Sequence, residues 1–317
     1  MAEARAIGLD LGGTQVRAAL VEGAYVLARA AEPTNVQGGP EAVLRQMERL
    51  MERVLPRRDW SGLAGVGVSS PGPLDTTTGT VLNIPTLPGW EGLPLRDRLA
   101  ARTGLPVIVE NDGKAAAHGE WRHGAGQGLR SLVYVTVSTG VGGGVIVDGR
   151  LLHGRRGMAG HVGHLPLDPA GPLCSCGARG CFEALASGSA LGQAARALAA
   201  AEPQGRVAAL AGPQGATAHH VVLAAREGDG AALALLAEEA RLLGRGFTGL
   251  VHLYSPEAVI MGGGVSEAFD LLEEGVRAAI RARAMPAFRD VPVLRAGLGG
   301  NAGLVGAAAL AVEAFGP

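Results

Sequence analysis

The sequence predicts an α/β protein that is built from two similar halves. Residues 5–30 have the pattern of three short strands, separated by a glycine turn and a Glu-Gly turn. Residues 132–154 repeat this order, with an Asp-Gly turn before the third strand. Each copy is followed by apolar residues at helical i, i+3, i+4 spacing, at 40–55 and 187–202. The repeated order of strands and helix indicates a duplicated architecture.

The remaining segments complete the two halves. The further predicted elements are a strand within 62–75, a helix at 95–104, a buried strand at 106–112, a long helix at 231–254, a strand, turn and helix within 256–275, a strand at 291–298 and a final helix at 301–315. We expect hinges near Asn111 to Gly113 and near Gly299 to Asn301. This predicts a small α/β lobe of residues 1–112 with about 301–317, and a large α/β lobe of residues 113–300.

Composition and charge narrow the classes of function. The 317 residues have a net charge of −1 with scattered Arg, Asp and Glu, so no basic face is expected for nucleic acid or an anionic membrane. No apolar stretch approaches ~20 residues, so neither a signal peptide nor a spanning helix is expected, and a cytoplasmic protein is predicted. The 51 glycines and 3% aromatic residues indicate tight turns and an Ala, Val and Leu core, as in phosphate-handling α/β proteins.

Three glycine-rich turns are candidate phosphate sites. They contain Gly12, Gly13 and Thr14 in the first hairpin, Thr139, Gly140 and Gly142 in the second, and Gly262, Gly263 and Gly264 between a strand and a helix. The first could be a plain glycine hairpin, but equivalent turns in two halves favour phosphate binding by backbone N–H groups. The third run precedes a helix N-terminus, which suits a nucleotide phosphate or ribose. None is a Walker A loop or a strand-first G-x-G-x-x-G. The paired hairpins resemble the actin, hexokinase and Hsp70 superfamily of ribonuclease H-like ATPases, which implies a two-lobed ATPase fold.

Asp112 ends a buried strand and precedes a helix. A carboxylate there could accept the proton of a hydroxyl group while its oxygen attacks the γ-phosphate of ATP. Asp112 could instead serve only as the cap of the following helix. The phosphate-binding turns favour the first interpretation. Asp10 would then hold a water of the Mg²⁺ bound to ATP, because Mg²⁺ retains waters and takes few protein ligands.

All three cysteines lie within residues 160–183, together with two of the eight histidines. Cys174 and Cys176 are too close in sequence for a relaxed disulfide with each other, and an odd number of cysteines leaves one thiol over. A catalytic thiol would not need two neighbouring cysteines, and no activating arrangement is evident. His164, Cys174, Cys176 and Cys181 supply one imidazole and three thiolates within 18 residues, which suits a closed tetrahedral site for structural Zn²⁺.

These motifs together resemble the ROK family of bacterial repressors, open reading frames and sugar kinases. The matching segments, in family order, are LDLGGT, SPGPLD, LPGW, END, VSTGVGGGVIVDGRLLHGRRGMAGHVGH, CSCGARGCFE and MGGGVS. The resemblance covers nearly the whole chain and implies ATP-dependent phosphorylation of a hexose, most often glucose at its 6-hydroxyl. It also implies a homodimer or homotetramer whose lobes close on the sugar.

The resemblance further implies roles for single residues. Asp112 would be the general base, and Asn111 and Glu183 would contact the sugar. His164 would bind zinc through one ring nitrogen and face the sugar with the other. The three glycine-rich turns would hold ATP.

The chain departs from the family pattern at three positions. His161 occupies the place of a Glu that binds the sugar, and Thr86 replaces an Asn that contacts it. These changes predict weaker or broader use of glucose, and another hexose or an N-acetylhexosamine such as N-acetylmannosamine is the alternative substrate. Lys114 stands where Asn is common, in the first helical turn after Asp112, and a solvated side chain is favoured there over a phosphate contact.

Two other functions are compatible with the same resemblance. Family repressors have a winged helix-turn-helix ahead of LDLGGT, whereas only a few residues precede that motif here, and both phosphate turns are intact. A sugar-binding protein that has lost catalysis is the third possibility, because His161 and Thr86 alter two sugar contacts. The retained Asp112 and the glycine turns favour a kinase over both.

Overall fold

The structure, a computed structural model, describes residues 4–55, 60–84 and 86–317. Within them the strands are β1 (Arg5–Leu11), β2 (Gln15–Glu22), β3 (Tyr25–Pro33), β4 (Leu63–Ser70), β5 (Leu74–Asp75), β6 (Thr80–Val81), β7 (Val107–Asn111), β8 (Leu132–Val137), β9 (Val141–Val147), β10 (Arg150–Leu151), β11 (Ala258–Gly262) and β12 (Val293–Arg295). The α-helices are α1 (Gly39–Val54), α2 (Leu95–Thr103), α3 (Asp112–His123), α4 (Phe182–Ala186), α5 (Gly188–Ala201), α6 (Arg206–Ala211), α7 (Ala218–Arg226), α8 (Gly230–Tyr254), α9 (Phe269–Arg283) and α10 (Ala302–Phe315). Short 3₁₀ helices include Arg155–Gly157, Val162–His164 and Gly264–Ala268.

The first sheet has the strand order β3-β2-β1-β4-β7. β1 pairs antiparallel with β2 and parallel with β4, and β4 pairs parallel with β7. Asp10 lies opposite Ser69, and Ser70 lies opposite Asn111. Because β1, β4 and β7 are parallel, their carboxyl ends place these polar side chains along one edge of the sheet, where open α/β sheets usually bind ligands.

The second sheet has the strand order β10-β9-β8-β11-β12, and β11 pairs parallel with both β8 and β12. Its β8-β9-β10 segment repeats the order of β1-β2-β3, so the predicted duplication is confirmed. The predicted helices after the two copies are also present, as α1 and α5. The segments that contain the two glycine hairpins therefore occupy equivalent places in the two sheets.

The first sheet is covered on both faces. Ile7, Leu9 and Leu11 alternate along β1 and are buried in one cluster with the apolar side of α1. The other face of β1 packs with α10, which is rich in alanine and buried along most of its length. α10 approaches β4 so closely that a Cβ at Gly67 would overlap the backbone oxygen of Ala307. This packing fixes the carboxyl ends of β1 and β4, where the first candidate site residues lie.

The chain divides into two compact units. Unit 1 extends to residue 130 and includes 143–160 and the segment from 297 onward, and unit 2 consists of 131–142 and 161–296. The lobe boundaries expected from the sequence stay a prediction. None of the helices in the described part of the chain combines the length and the apolarity that a membrane crossing requires.

Candidate active site

Asp112 is the first residue of α3 and directly follows β7 in unit 1, while Asn111 holds the N-cap position. Asp112 Oδ1 accepts hydrogen bonds from the side-chain amide of Asn111 at 2.9 Å and from the N–H of Gly113 at 2.7 Å. The side chain is accessible to solvent, yet protein surrounds it closely enough that lost hydration raises its pKa to about 6. The charge of Asp10 also raises this pKa, whereas the two hydrogen bonds lower it. An accessible carboxylate that titrates near neutral pH has the properties of a general base.

Asp10 is the next-to-last residue of β1 and is held from two sides. Its Oδ2 accepts hydrogen bonds from Arg17 Nε at 2.9 Å and Nη2 at 2.5 Å, and its Oδ1 accepts one from the Ser69 hydroxyl at 2.8 Å. Arg17 in turn donates to the carbonyl of Gly300 at 2.8 Å. The Asp10 side chain is only 16% exposed. A water that Asp10 holds must therefore share these oxygens with Arg17 and Ser69.

The β1–β2 hairpin contains Gly12, Gly13 and Thr14. Gly12 donates its N–H within the turn at 2.9 Å, and its carbonyl accepts the Thr34 hydroxyl at 2.6 Å. A Cβ at Gly13 would lie 2.8 Å from the Thr86 side chain, so Thr86 is a neighbour of this hairpin in unit 1. The hairpin is thus fixed by its own backbone, and the N–H of Gly12 is already used within the turn.

The β8–β9 turn of unit 2 consists of Ser138, Thr139 and Gly140. The N–H of Ser138 donates to the carbonyl of Gly140 at 2.9 Å and closes the turn. The first residue of α5, Gly188, donates its N–H to the carbonyl of Ser138 at 2.7 Å. Gly142 lies within β9, beyond the turn. The turn is therefore anchored to the N-terminus of a helix.

The third glycine run follows β11 in unit 2. Gly262 ends the strand opposite Thr136 of β8, Gly263 has a φ of 83°, and Gly264 begins a 3₁₀ helix. A cavity of about 260 Å³ opens beside this run. Its lining consists of Ser138, Gly188, Leu191, Ala218, His219, Val222, Gly264, Val265 and Glu267. A largely apolar cavity beside two glycine turns suits a flat heteroaromatic base that is linked to phosphates.

Glu183 joins the β8–β9 turn to the cysteine-containing loop. Its Oε2 accepts the N–H of Val141 at 3.1 Å, and its Oε1 accepts the hydroxyl of Ser175 at 3.1 Å. A Cβ at Gly140 would overlap Oε2, so a side chain at that position would require the Glu183 carboxylate to move. The residue that the family resemblance assigns to the sugar thus also anchors a candidate phosphate turn.

His164, Cys174, Cys176 and Cys181 form one cluster in unit 2, in which one ligand atom of each residue lies within 4.8 Å of the others. Cys176 Sγ is 3.7 Å from Cys181 Sγ, and Cys174 Sγ is 3.6 Å from His164 Nδ1. Zn–S bonds of ~2.3 Å in a tetrahedron require sulfur atoms about 3.8 Å apart, so this donor set fits zinc. The ring of His161 lies 6.3 Å from that of His164, centroid to centroid.

The sequence profile of the ROK family matches residues 6–314, nearly the whole chain. The chain belongs to the ROK family. It is 39% identical over 319 residues to a glucokinase of Thermotoga maritima, with 100% of both chains covered. It is 35% identical over 306 residues to an N-acetylmannosamine kinase of Salmonella typhimurium, with 96% of this chain and 97% of that one covered.

A solved structure in the family has the same fold. The crystal structure of a ROK family glucokinase from Streptomyces griseus in complex with glucose and AMPPNP gives a TM-score of 0.85 at 37% identity. It covers 98% of this chain and 99% of that chain. The family and the two-sheet, actin-like fold predicted from the sequence are confirmed.

Lys114 of this ROK chain is not solvated, and the expectation from the sequence is wrong. Its side chain is 1% exposed, its ammonium group donates to the carbonyl of Gly157, and Nζ lies 3.5 Å from Glu110 Oε1. Both partners belong to unit 1. A lysine can be buried where a carboxylate and a carbonyl replace its water, and both acceptors are present here.

Several residues around the ROK site were not found from the sequence. Arg17 could have been found, because the β1–β2 turn sets it directly opposite Asp10 in the antiparallel pair. His219 and Glu267 line the cavity, but they lie on segments far apart in sequence, and no local pattern indicates that they meet.

Proposed function

We propose that this chain is an ATP-dependent hexose kinase of the glucokinase type, which transfers the γ-phosphoryl group of ATP to the 6-hydroxyl of the sugar. The observation that carries the proposal is the accessible Asp112 carboxylate, whose pKa is raised to about 6 at the carboxyl end of β7. The names of the Thermotoga maritima relative and of the Streptomyces griseus structure support glucose as the substrate.

Asp112 acts as the general base. Its Oδ1 already accepts two hydrogen bonds, so Oδ2 receives the proton of the 6-hydroxyl. The sugar oxygen bonds to the γ-phosphorus as the bond from that phosphorus to the β–γ bridging oxygen breaks, and ADP leaves with the electron pair. Asn111 orients Asp112 and contacts the sugar. Asp10 would hold a water of the Mg²⁺ that accompanies ATP, and that ion would neutralise phosphate charge.

ATP is held mainly by backbone groups. The N–H groups of the glycine-rich turns bind phosphate, and the nucleoside occupies the cavity beside Gly264. The residues proposed for ATP are Asp10, Gly12, Gly13, Thr14, Thr139, Gly140, Gly142, Gly262, Gly263 and Gly264. Glu183 and the start of α5 anchor the β8–β9 turn and keep its N–H groups in place. The turn therefore loses less conformational entropy when it binds ATP.

The sugar is contacted by Thr86, Asn111, Asp112, His161, His164 and Glu183. A Glu at the place of His161 could accept two hydroxyl hydrogen bonds, whereas a neutral imidazole offers one donor and one acceptor on a bulkier ring. A buried hydroxyl left without a partner costs about 1–3 kcal/mol. Glucose is therefore held less firmly here than by ROK kinases with that Glu, and N-acetylmannosamine is the second candidate substrate. The Salmonella typhimurium relative supports this second candidate.

Zinc has a structural role in the proposed enzyme. The four residues would fill every position of a tetrahedral zinc site, so the metal would have no open position for a catalytic water. His164 directs Nδ1 to the cluster, so Nε2 is the nitrogen that faces the sugar. We place the enzyme in the cytoplasm, where its cysteines stay reduced, and the family resemblance supports a homodimer or homotetramer.

The experiment that tests this proposal measures ADP formation with glucose, mannose, fructose, N-acetylglucosamine and N-acetylmannosamine. We expect ATP-dependent turnover with at least one hexose and a higher kcat/KM for glucose in His161→Glu than in wild type. His123→Glu, a remote exchange of the same kind, should match wild type. Sugar binding without ADP formation would indicate a binding protein. If wild type already prefers glucose with a sub-millimolar KM and His161→Glu lowers glucose use, the specificity role of His161 is wrong.

A further inference from the structure

Lys114 is the only lysine of the chain, and it is buried with a carboxylate. The side chains of Lys114 and Glu110 are 1% and 3% exposed, and Nζ lies 3.5 Å from Oε1. The second carboxylate oxygen, Oε2, lies 2.8 Å from Nε2 of His153. Because a buried charge is costly unless it is paired, each member of this pair depends on the other.

Both charges bind one segment of unit 1, residues 153–160, which we call the 153–160 loop. The carboxylate binds His153 at the start of the loop, and the ammonium group of Lys114 donates a hydrogen bond to the carbonyl of Gly157 in the middle. The loop ends next to His161 in the sequence. The buried pair therefore fixes the chain just before a proposed sugar contact.

The backbone of the 153–160 loop needs outside support. Arg156 has a φ of 59°, a left-handed conformation that non-glycine residues rarely adopt. Its Nε donates to Oδ2 of the buried Asp75 at 2.7 Å. Gly157 has a φ of 76°, and a Cβ there would overlap the hydroxyl of Thr76. The shape of the loop is thus imposed by contacts with other segments of unit 1.

We propose that Lys114 is a positioning residue for sugar binding: together with Glu110 it fixes the 153–160 loop and thereby the chain that leads into His161 and His164. The inference rests on the proposed function for the assignment of these two histidines to the sugar. Lys114 also lies two residues after Asp112, in the first turn of α3. One buried ion pair therefore sets both the start of the helix with the base and the loop before the sugar contacts.

The test uses Lys114→Met, which removes the ammonium group and keeps an unbranched apolar side chain. We expect amide hydrogen exchange in the 153–160 loop to rise about tenfold or more. We also expect the KM of the sugar to rise about tenfold, since small displacements of binding groups are costly, while the KM of ATP changes less than about twofold. The double variant Lys114→Met/Glu110→Gln removes both charges and serves if the single variant does not fold.

Glu120→Gln is the matched control. Glu120 is another buried carboxylate of α3, but it accepts the N–H groups of Gly297 and Leu298 at 2.9 and 2.8 Å. The control should lower the melting temperature without changing exchange in the 153–160 loop or the KM of the sugar.

Four outcomes decide between the explanations. Unchanged loop exchange in Lys114→Met overturns the proposal, and so does an equal rise in Glu120→Gln, which would indicate general destabilisation. A rise in loop exchange together with an unchanged sugar KM also overturns the positioning role. If wild type phosphorylates no sugar while loop exchange rises only in Lys114→Met, the anchoring of the loop stands and the proposed function fails.

Discussion

The pH dependence of turnover tests Asp112 most directly. Lost hydration, with a further contribution from the charge of Asp10, raises its pKa to about 6. An Asp carboxyl in an unfolded chain titrates near pH ~3.9, so the folded protein holds this proton more tightly. Protonated Asp112 cannot accept the proton of the sugar hydroxyl. Turnover should therefore be lost as the pH falls through about 6.

The size of the effect follows from the ionised fraction. With a pKa of about 6, roughly 90% of Asp112 is ionised at pH 7 and roughly 10% at pH 5. A carboxyl with the ordinary pKa would still be more than about 90% ionised at pH 5. We expect kcat/KM for the sugar, measured as ADP release at saturating ATP and Mg²⁺, to be about tenfold lower at pH 5 than at pH 7.

Two variants test whether the loss of turnover at acid pH comes from Asp112 or from another acidic group. Asp112→Asn should lose about 10²–10⁴ in kcat, and its remaining activity should lack the loss at acid pH. Asp97→Asn removes an exposed carboxylate of unit 1, 65% exposed, and should keep the wild-type profile. The reasoning is refuted if the acid loss persists in Asp112→Asn, if its midpoint lies below pH 5, or if Asp112→Asn keeps a third of the wild-type kcat.

Three further perturbations concern unit 2. Gly140→Ala should displace the Glu183 carboxylate from the N–H of Val141 and raise the KM of ATP about tenfold. Gly230→Ala, with no atom within 4 Å, should leave steady-state kinetics unchanged. We expect about one zinc ion per wild-type chain, and Cys176→Ala should lower the zinc content, the thermal stability and the affinity for sugar together. If metal analysis finds no zinc in wild type prepared without chelators, the proposed zinc site is wrong. Burial raises the pKa of Glu239 to about 8, and its Oε1 has no hydrogen-bond partner among the described residues. The free energy of unfolding should therefore fall as the pH rises from about 5 to 8, and urea titrations of Glu239→Gln should show a smaller fall.

The parts of the fold that were predictable have local signals. Asp148 and Gly149 have φ values of 49° and 73°, as a two-residue hairpin turn requires, and an Asp-Gly pair tolerates both. The zinc ligands were predictable for a similar reason. Three cysteines and His164 lie within 18 residues, so local folding alone can bring them to one point.

The parts that were not predictable depend on distant segments. Lys114 meets Gly157 across 43 residues, and nothing in the local sequence distinguishes a buried from a solvated lysine in a first helical turn. α7 lines the cavity beside Gly264 with Ala218, His219 and Val222, and it was not predicted from the sequence.

The two departures from the family pattern at Lys114 and His161 should be coupled. Lys114 binds Gly157, four residues before His161 in the sequence, and the positioning role that we propose for Lys114 would act through this connection. We expect His161→Glu to change the kcat/KM of glucose by a different factor in a Lys114→Asn background than in wild type. Residues that share a backbone segment typically show coupling of about 0.5–3 kcal/mol in a double-mutant cycle. Assays of the four proteins of the cycle with glucose and N-acetylmannosamine measure this coupling free energy. Strict additivity with both sugars would show that Lys114 does not act through the 153–160 loop.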